Sequence, residues 1–383
     1  MLLHEDGREI SVRLSPFEIK PNERLKVVNA CEWLWGAAEA SLHDLLGAQA
    51  APELFARHAP YWEALREGRG RPQLFYARFD FRLHNGVPKF FELNTNCPAG
   101  AVFFSEWRRR ASFGRSDDPT EPLSDPTHFV DRLVYEARKD GRDDPSLNVV
   151  LATDNGGLSL ELSYMQYLFS IQGHSARIAE VTSLQFDGHR LRTSDGSPVD
   201  LVYCKCNPVQ STSPGWSAEY LKQCQGFVSA WRAGAVTVRN PLAAILLAED
   251  KAFLALLAAT RPEVRQYIPA TKVLFELDEG ELADLTRAQE QWVLKPRQES
   301  RGRGVVCGAT VNSKAWLSAL GTANPREHVI QSFVPDQTSS LESRTMTALM
   351  LEGKVVGLFN RVSKNAVNSV ASGGEIELLR TAC

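Results

Sequence analysis

The sequence predicts an α+β protein that also contains an α/β unit, and two patterns in its 383 residues carry this prediction. A buried-type strand, a loop, an amphipathic helix and a second strand follow one another from Leu147 to Val181, which is the β-α-β order of a parallel sheet. Between Trp292 and Arg361, short alternating strands dominate instead. Because a single hydrophobic core stops growing near ~250–300 residues, we expect two or three lobes.

The remaining elements follow in order along the chain. Apolar residues recur at helical spacing from Asn22 to Leu46, and the helical pattern continues to Glu67. From Leu74 to Asn94 the pattern changes to alternation on both sides of His84-Asn85-Gly86, which predicts a β-hairpin. Residues 108–125 are rich in Arg, Asp and Pro and are predicted to form an exposed loop, and a helix is predicted over 242–260.

Composition excludes several classes of protein. A formal net charge of −3 gives no strong attraction to nucleic acid, and no apolar run is long enough to span a membrane. The acidic N-terminus lacks the layout of a secretory signal, and the seven cysteines are scattered, so we expect a cytoplasmic protein with reduced thiols. Cys204-Lys205-Cys206 is more readily explained by two buried thiols than by a zinc site.

Polar residues alternate on the two strands of the predicted hairpin. Arg78 and Asp80 share one face of the first strand, and Glu92 and Asn94 share one face of the second. With a three-residue turn, Phe90 would lie opposite Asp80 and the two faces would coincide. Two carboxylates and an amide oxygen on one surface suit Mg²⁺ that bridges phosphate oxygens. The alternative is the solvated side of a half-buried hairpin.

Two lysines follow in the second half of the chain. Lys295 ends a buried strand and precedes a loop with Gly302 and Gly304, whose amides suit phosphate, although a basic hairpin turn is the alternative. We expect residues 297–304 to be mobile while the site is empty, because the three arginines in this loop repel one another. Lys251 lies on the helix predicted over 242–260, where a solvated side chain is the alternative.

The C-terminal run contains charged residues that suit an anion, with plain surface charge as the alternative. Its members are Arg344, Arg361, Asn368 and the pair Gly373-Gly374.

Together these segments resemble the ATP-grasp superfamily of carboxylate–amine ligases. Lys251 and Lys295 resemble its two nucleotide-binding lysines, and the hairpin resembles its metal-binding strands. The strand 329–334 resembles the segment that contacts adenine, with Gln331 where an acidic residue is usual. The run from Glu342 to Gly374 is similar to the corresponding part of bacterial glutathione synthetases.

The order of these segments resembles a circularly permuted ATP-grasp protein of the glutathionylspermidine synthetase-like group, because the metal-binding strands precede the other motifs. The specific motifs cover residues 74–100 and 240–377. The resemblance implies a helical N-terminal segment at 1–73, metal-binding strands of the ATP-grasp core at 74–107, a linker and helix at 108–146, a pre-ATP-grasp-like α/β substrate domain at 147–239, and nucleotide-binding subdomains at 240–383.

The resemblance implies an ATP-dependent ligase that forms an amide or peptide bond through an acyl phosphate and releases ADP and phosphate. The implied cofactors are ATP and Mg²⁺, with two ions expected and Mn²⁺ as a substitute. The implied substrates are a small carboxylic acid and an amine, such as an amino acid, a short peptide or a polyamine. The oligomeric state is not implied, and a homodimer is one possibility. The alternatives are a small-molecule kinase of ATP-grasp-like fold and a nucleotide-binding module without turnover.

The resemblance also implies a role for each residue. The metal ligands are Asp80, Glu92 and Asn94; the catalytic set is Arg78, Arg344, Arg361 and Asn368; and the nucleotide contacts are Lys251, Lys295, Gly302, Gly304, Gln331, Phe333, Val334, Gly373 and Gly374.

Overall fold

The computed structural model describes residues 3–5, 8–13, 15–67, 73–111, 125–153, 159–206, 218–299, 302–336, 342–364 and 374–381. Asn368 and Gly373 lie outside these ranges. Across the described ranges, no helix has the length and apolar character that crossing a membrane requires.

The helices of this part of the chain are short except for the first. They are α1 (Pro21–Leu45), α2 (Trp62–Glu67), α3 (Phe103–Ala111), α4 (Thr127–Lys139), α5 (Leu160–Ile171), α6 (Ala218–Gln223), α7 (Gln225–Arg232), α8 (Ala252–Thr260), α9 (Pro262–Arg265), α10 (Glu279–Arg287) and α11 (Ser313–Thr322).

The strands of the same part of the chain are β1 (Leu3–Glu5), β2 (Arg8–Ile10), β3 (Phe17–Ile19), β4 (Tyr76–His84), β5 (Val87–Asn94), β6 (Asn148–Thr153), β7 (Ser175–Glu180), β8 (Gln185–Phe186), β9 (Leu191–Arg192), β10 (Pro198–Val199), β11 (Leu201–Cys204), β12 (Thr237–Arg239), β13 (Thr271–Val273), β14 (Trp292–Pro296), β15 (Val306–Cys307), β16 (His328–Ser332), β17 (Ser343–Leu351), β18 (Lys354–Ser363) and β19 (Glu375–Thr381).

The largest sheet joins the two ends of the chain. Its order is β3-β19-β18-β17-β4-β5, so the early hairpin β4–β5 pairs directly with the late hairpin β17–β18. One face packs on α1, where Trp35 lies 6.4 Å from Phe79 between ring centroids. The other face packs on α3, where Trp107 lies 5.4 Å from Phe359. Burial on both faces explains why its central strands are so apolar.

The predicted β-α-β unit is confirmed as part of a four-stranded parallel sheet. Its order is β12-β11-β6-β7, with α5 connecting β6 to β7. Ser159 begins α5, because its side chain accepts a hydrogen bond from the backbone N–H of Leu162. A second four-stranded sheet, β13-β16-β14-β15, is antiparallel and carries Lys295 and Gln331.

Two expected elements have different bounds. Residues 108–111 continue α3 and are therefore not part of a loop. The helix expected over 242–260 is interrupted: a π-helical turn at Ala244–Ala248 is followed by a break, and α8 starts at Ala252. Burial of Asp250 at this break explains the interruption, because its side chain accepts a hydrogen bond from the backbone N–H of Ala252. Lys251 therefore precedes α8.

Candidate active site

The hairpin β4–β5 places the predicted metal-binding residues. Its turn is the two-residue pair Asn85-Gly86, with φ of 52° and 73°, as hairpin turns of this length require. The expectation of a three-residue turn, with Phe90 opposite Asp80, is therefore wrong. Phe90 lies opposite Phe81, and a β-bulge then shifts the register.

The bulge restores the shared face. Beyond it Glu92 lies opposite Asp80 and Asn94 lies opposite Arg78, so the four side chains project from one face as predicted. Phe91 is the extra residue of the bulge, which has no partner residue on β4. Without this extra residue, the two-residue turn would put Phe91 opposite Asp80 and turn Glu92 to the other face.

Asp80 is fully buried and surrounded by donors. Nη2 of Arg361 lies 2.7 Å from its Oδ2, and the side-chain amide of Asn94 donates to the same oxygen at 3.0 Å. Nε of Arg78 lies 3.3 Å from Oδ1, and the hydroxyl of Thr347 donates to that oxygen at 3.2 Å. Both carboxylate oxygens are therefore fixed, and two arginines compensate their charge.

Glu92 is paired with the first of the two lysines. Its Oε1 lies 3.2 Å from Nζ of Lys251, and 26 % of its side chain is exposed. Burial alone would raise the pKa of Glu92, but the positive charges of Lys251, Lys295, Arg361 and Arg78 outweigh burial and lower the pKa to about 2. Glu92 is therefore a charged carboxylate at neutral pH.

Lys295 points to the same place from the neighbouring sheet. Its Nζ donates to Oε1 of Gln331 at 2.6 Å and to the carbonyl oxygen of Phe91 at 3.3 Å. The bulge thus supplies an acceptor for this lysine. Gln331 in turn donates to the hydroxyl of Thr271 at 2.9 Å, which fixes the orientation of its amide. Burial lowers the pKa of Lys295 to about 8, although the charge of Glu92 opposes this shift.

We call these six charged residues the charge cluster: Arg78, Arg361, Lys251 and Lys295 with Asp80 and Glu92. Four cations face two carboxylates, so the cluster has an excess of positive charge. A bound polyphosphate would supply the missing negative charge, and such charge-assisted contacts are strong. The cluster therefore suits a phosphate-bearing anion.

The oxygen donors also fit Mg²⁺. In proteins this ion is usually held by one or two carboxylates together with substrate phosphates. The residues described include no group of three or more His, Cys, Asp or Glu arranged to hold a metal by themselves. A Mg²⁺ ion held by Asp80, Glu92 and Asn94 would therefore need phosphate oxygens to complete its coordination.

A cavity of about 430 Å³ lies beside the loop that follows Lys295. Its lining is Arg57, Pro296, Arg297, Gln298, Glu299, Arg303, Gly304, Glu327 and His328. Because neither lysine of the charge cluster nor either carboxylate lines it, the cavity is next to the candidate site and does not contain it.

Comparison with solved structures shows the fold of this chain, whereas comparison of sequences assigns it to no family. No family model and no curated protein matches the chain. A solved structure described as a gamma-glutamylcysteine synthetase from Methylobacillus flagellatus KT is 14 % identical over 86 % of this chain and 89 % of its own, with a TM-score of 0.44. A glutathione synthetase-like effector from Globodera pallida, in apo form, is 13 % identical over 98 % of this chain and 91 % of its own, with a TM-score of 0.59. The fold of this chain is glutathione synthetase-like.

Within this glutathione synthetase-like fold, Arg344 lies apart from the charge cluster. Thr345, and not Arg344, lies opposite Arg361 on the paired strand, so the two arginines project from opposite faces of the sheet. Nε of Arg344 lies 3.0 Å from a carboxylate oxygen of Glu377. The sequence placed both arginines on adjacent strands, which is confirmed, but a one-residue offset separates their side chains.

The structure also describes five of the other predicted nucleotide contacts, which are Phe333, Val334, Gly302, Gly304 and Gly374. Phe333 and Val334 follow β16, and the carbonyl oxygen of Val334 accepts from Arg82 at 2.7 Å. Gly302 and Gly304 have φ of 73° and 67°, and a Cβ at Gly304 would lie 2.7 Å from Cγ of Pro296. Gly374 is buried immediately before β19.

Arg82 is a residue of the site that sequence reasoning did not select. It is buried and donates to the backbone of Val334 and Arg344, which ties β4 to the segment after β16. A signal was available, because Arg82 continues the alternation of Arg78 and Asp80 along one strand face.

The expectation of a wholly mobile loop over 297–304 is wrong at its start. Arg297 is buried and paired with Asp250, so it does not repel the other arginines. Arg301 lies outside the described residues. Cys204 and Cys206 are buried with their sulfur atoms 3.7 Å apart, in agreement with the interpretation as packed thiols.

Proposed function

We propose that this protein is an ATP-dependent carboxylate–amine ligase that forms an amide or peptide bond and releases ADP and phosphate. The observation that carries the proposal is the convergence of Lys251, Lys295, Asp80 and Glu92 on one charge cluster, although they come from distant parts of the sequence. The glutathione synthetase-like fold supports it, since the name of that neighbour refers to a ligase.

We further propose an ATP-grasp core in permuted order. The pairing of β4 with β17 supports this, because it unites the early hairpin with the end of the chain in one sheet. A permuted chain would produce this connection of sequence-distant strands. The division into segments at residues 73, 107, 146 and 239 remains a prediction.

In this proposal each residue has a role set by its position. Lys251 and Lys295 bind phosphate oxygens; Asp80, Glu92 and Asn94 would hold two Mg²⁺ ions, with Mn²⁺ as a substitute. When bound, the metal neutralises charge on the transferring phosphoryl group. Arg78 and Arg361 stabilise negative charge on the reacting carboxylate, and Gln331 with Phe333 and Val334 contacts the adenine.

The substrates are a small carboxylic acid and an amine, and the reaction passes through an acyl phosphate. Transfer of the γ-phosphoryl group to a carboxylate oxygen releases ADP, and attack by the amine nitrogen then expels phosphate. As the resemblance implies, Gly302, Gly304, Gly373 and Gly374 are proposed to contact the nucleotide, and Asn368 is proposed to be catalytic. Arg344 is not included, because Glu377 holds it on the opposite face.

The test is ADP release by the purified protein with ATP and Mg²⁺, measured across a panel of amino acids, short peptides and polyamines. Hydroxylamine added in place of the amine should give a hydroxamate, since only an acyl phosphate yields this product. ADP release with a hydroxyl acceptor and no hydroxamate would indicate a kinase instead. Nucleotide binding without any turnover across the panel would indicate a binding module.

Glu92→Gln should lower turnover by about a hundredfold or more with the fold retained, because the substitution removes one metal-binding charge. The matched control is Glu263→Gln on the exposed surface of α9, which should keep wild-type turnover and the same unfolding temperature. Wild-type turnover in Glu92→Gln would contradict the metal assignment.

A further inference from the structure

A buried ion pair lies directly behind the two lysines. The side chains of Asp250 and Arg297 are 0 % and 3 % exposed, and Nη2 of Arg297 lies 2.7 Å from Oδ2 of Asp250. Nε of Arg297 donates to Oδ1 of Asp250 at 2.9 Å. The guanidinium also donates to the carbonyl oxygens of Leu54 and Arg326, at 2.7 and 3.0 Å. All three nitrogens of the guanidinium are therefore satisfied inside the protein.

The segment carrying Arg297 is bonded to Lys251 at two points. The backbone N–H of Lys251 donates to the carbonyl oxygen of Arg297 at 3.0 Å. Its Nζ donates to the carbonyl oxygen of Glu299 at 2.8 Å and lies 3.2 Å from Oε1 of Glu92. Residues 297–299 thus hold both the backbone and the ammonium group of Lys251 in place, with the ammonium group beside Glu92 of the charge cluster.

The segment 297–299 begins two residues after Lys295 and is also hydrogen-bonded to two other parts of the chain. The backbone N–H of Arg297 donates to the carbonyl oxygen of Glu327 at 2.9 Å. The side chain of Gln298 donates to the carbonyl oxygen of Leu246 at 3.1 Å. The two lysines therefore belong to one hydrogen-bonded unit, although 43 residues separate them in the sequence.

We propose that Asp250 and Arg297 are positioning residues that hold Lys251 in its place within the charge cluster before a nucleotide binds. The inference rests on the proposed nucleotide-binding function and specifies how the site is prepared. A lysine that is already ordered loses little conformational freedom when phosphate arrives, so the ordering cost is met during folding.

The main test is the affinity for a nonhydrolysable ATP analogue with Mg²⁺, measured by calorimetry. Arg297→Lys keeps the charge but loses the bidentate contact with Asp250 and the further carbonyl contacts. We expect its dissociation constant to rise about tenfold. Asp250→Asn is the second variant and should give a rise of similar size. An unchanged dissociation constant in folded Arg297→Lys or Asp250→Asn would overturn the inference.

The chain offers a matched control for general destabilisation. Arg239 and Glu136 form another buried ion pair, at 2.6 Å with exposures of 7 % and 5 %, between β12 and α4. Arg239→Lys should lower the unfolding temperature while leaving the dissociation constant within twofold of the wild type. If Arg239→Lys weakened binding as much as Arg297→Lys, a specific role for Arg297 would be refuted.

A double-mutant cycle separates positioning from a structural effect. If Arg297 acts through Lys251, then Arg297→Lys should change the dissociation constant less than twofold in a Lys251→Ala background. A full tenfold effect in that background would show that Arg297 acts independently of Lys251 and would overturn the inference.

A second readout needs no nucleotide. Lys251 should be acetylated slowly by acetic anhydride in the wild type, because its side chain is 7 % exposed and bonded to Glu299 and Glu92. Arg297→Lys should raise the rate several-fold, as mass spectrometry of the peptide would show, while the rate at the exposed Lys354 stays constant. If the wild type bound no nucleotide, the proposed function would fail; an unchanged acetylation rate would refute the positioning role on its own.

Discussion

Lys295 shows at the scale of one residue how the fold changes the chemistry of a side chain. Its ammonium group is buried between Gln331 and the carbonyl oxygen of Phe91, two neutral acceptors. Burial disfavours the charged form and lowers the pKa to about 8, with Glu92 acting in the opposite direction. The group therefore titrates within the range of ordinary assays.

Nucleotide affinity should decrease above pH 8. The protonated form of Lys295 binds phosphate, and its population falls as the pH rises through a pKa of about 8, so the affinity should fall by up to about tenfold per pH unit. Calorimetric titrations between pH 6.5 and 9.5 would measure this. Lys295→Arg keeps its charge throughout that range and should lose the pH dependence; an equally steep decline in this variant would assign the titration to another group.

At the scale of elements, the hairpin β4–β5 depends on its turn and its bulge. The turn requires a positive φ at Gly86, where a Cβ would meet nothing within 4 Å. The cost of any other residue there is therefore purely conformational. The bulge at Phe91 then sets which face Glu92 occupies, and the carbonyl oxygen of Phe91 accepts a hydrogen bond from Lys295.

Alanine at two glycines should have opposite effects on stability. Gly86→Ala should lower the free energy of unfolding by about 1 kcal/mol, because φ is 73° in the turn. Gly36→Ala, on the exposed side of α1 with open space around it, should raise the free energy of unfolding by roughly 0.5–1 kcal/mol. Urea denaturation would measure both. Equal shifts of the same sign would contradict the turn assignment.

At the scale of the whole molecule, one side chain connects two sheets. Asn240 follows β12 of the parallel sheet and is fully buried. Its Oδ1 accepts from the backbone N–H of Tyr76 at 2.8 Å and of Phe75 at 3.1 Å, and its Nδ2 donates to the carbonyl oxygens of Tyr76 and Thr95, both at 2.6 Å. It thus fixes the hairpin of the site against the α/β unit.

Asn240→Ala should lower the free energy of unfolding by about 3 kcal/mol or more, since several buried backbone groups would lose their partners. Asn29→Ala, at an exposed position of α1, is the control and should stay within about 0.5 kcal/mol of the wild type. Denaturant unfolding would measure both. A loss below about 1 kcal/mol in Asn240→Ala would mean that water replaces these contacts.

The sequence by itself determined the elements with strong local patterns. Helix α1, the hairpin, the β-α-β unit and the strand ending near Lys295 were predicted, because alternation and helical spacing are properties of neighbouring residues. The pairing of Asp80 and Glu92 on one face was also predicted, although through a turn of the wrong length.

Only the tertiary structure decided which of these residues meet. A one-residue offset in the pairing of β17 with β18 removed Arg344 from the cluster, and no local pattern specifies such a register. The ion pair of Asp250 with Arg297 joins residues that are far apart in the sequence. Because the sequence does not reveal this pair, it predicted a mobile loop with three mutually repelling arginines, whereas Arg297 is buried. Local periodicity fixes which face a side chain occupies on its own strand or helix, whereas its partners depend on long-range packing.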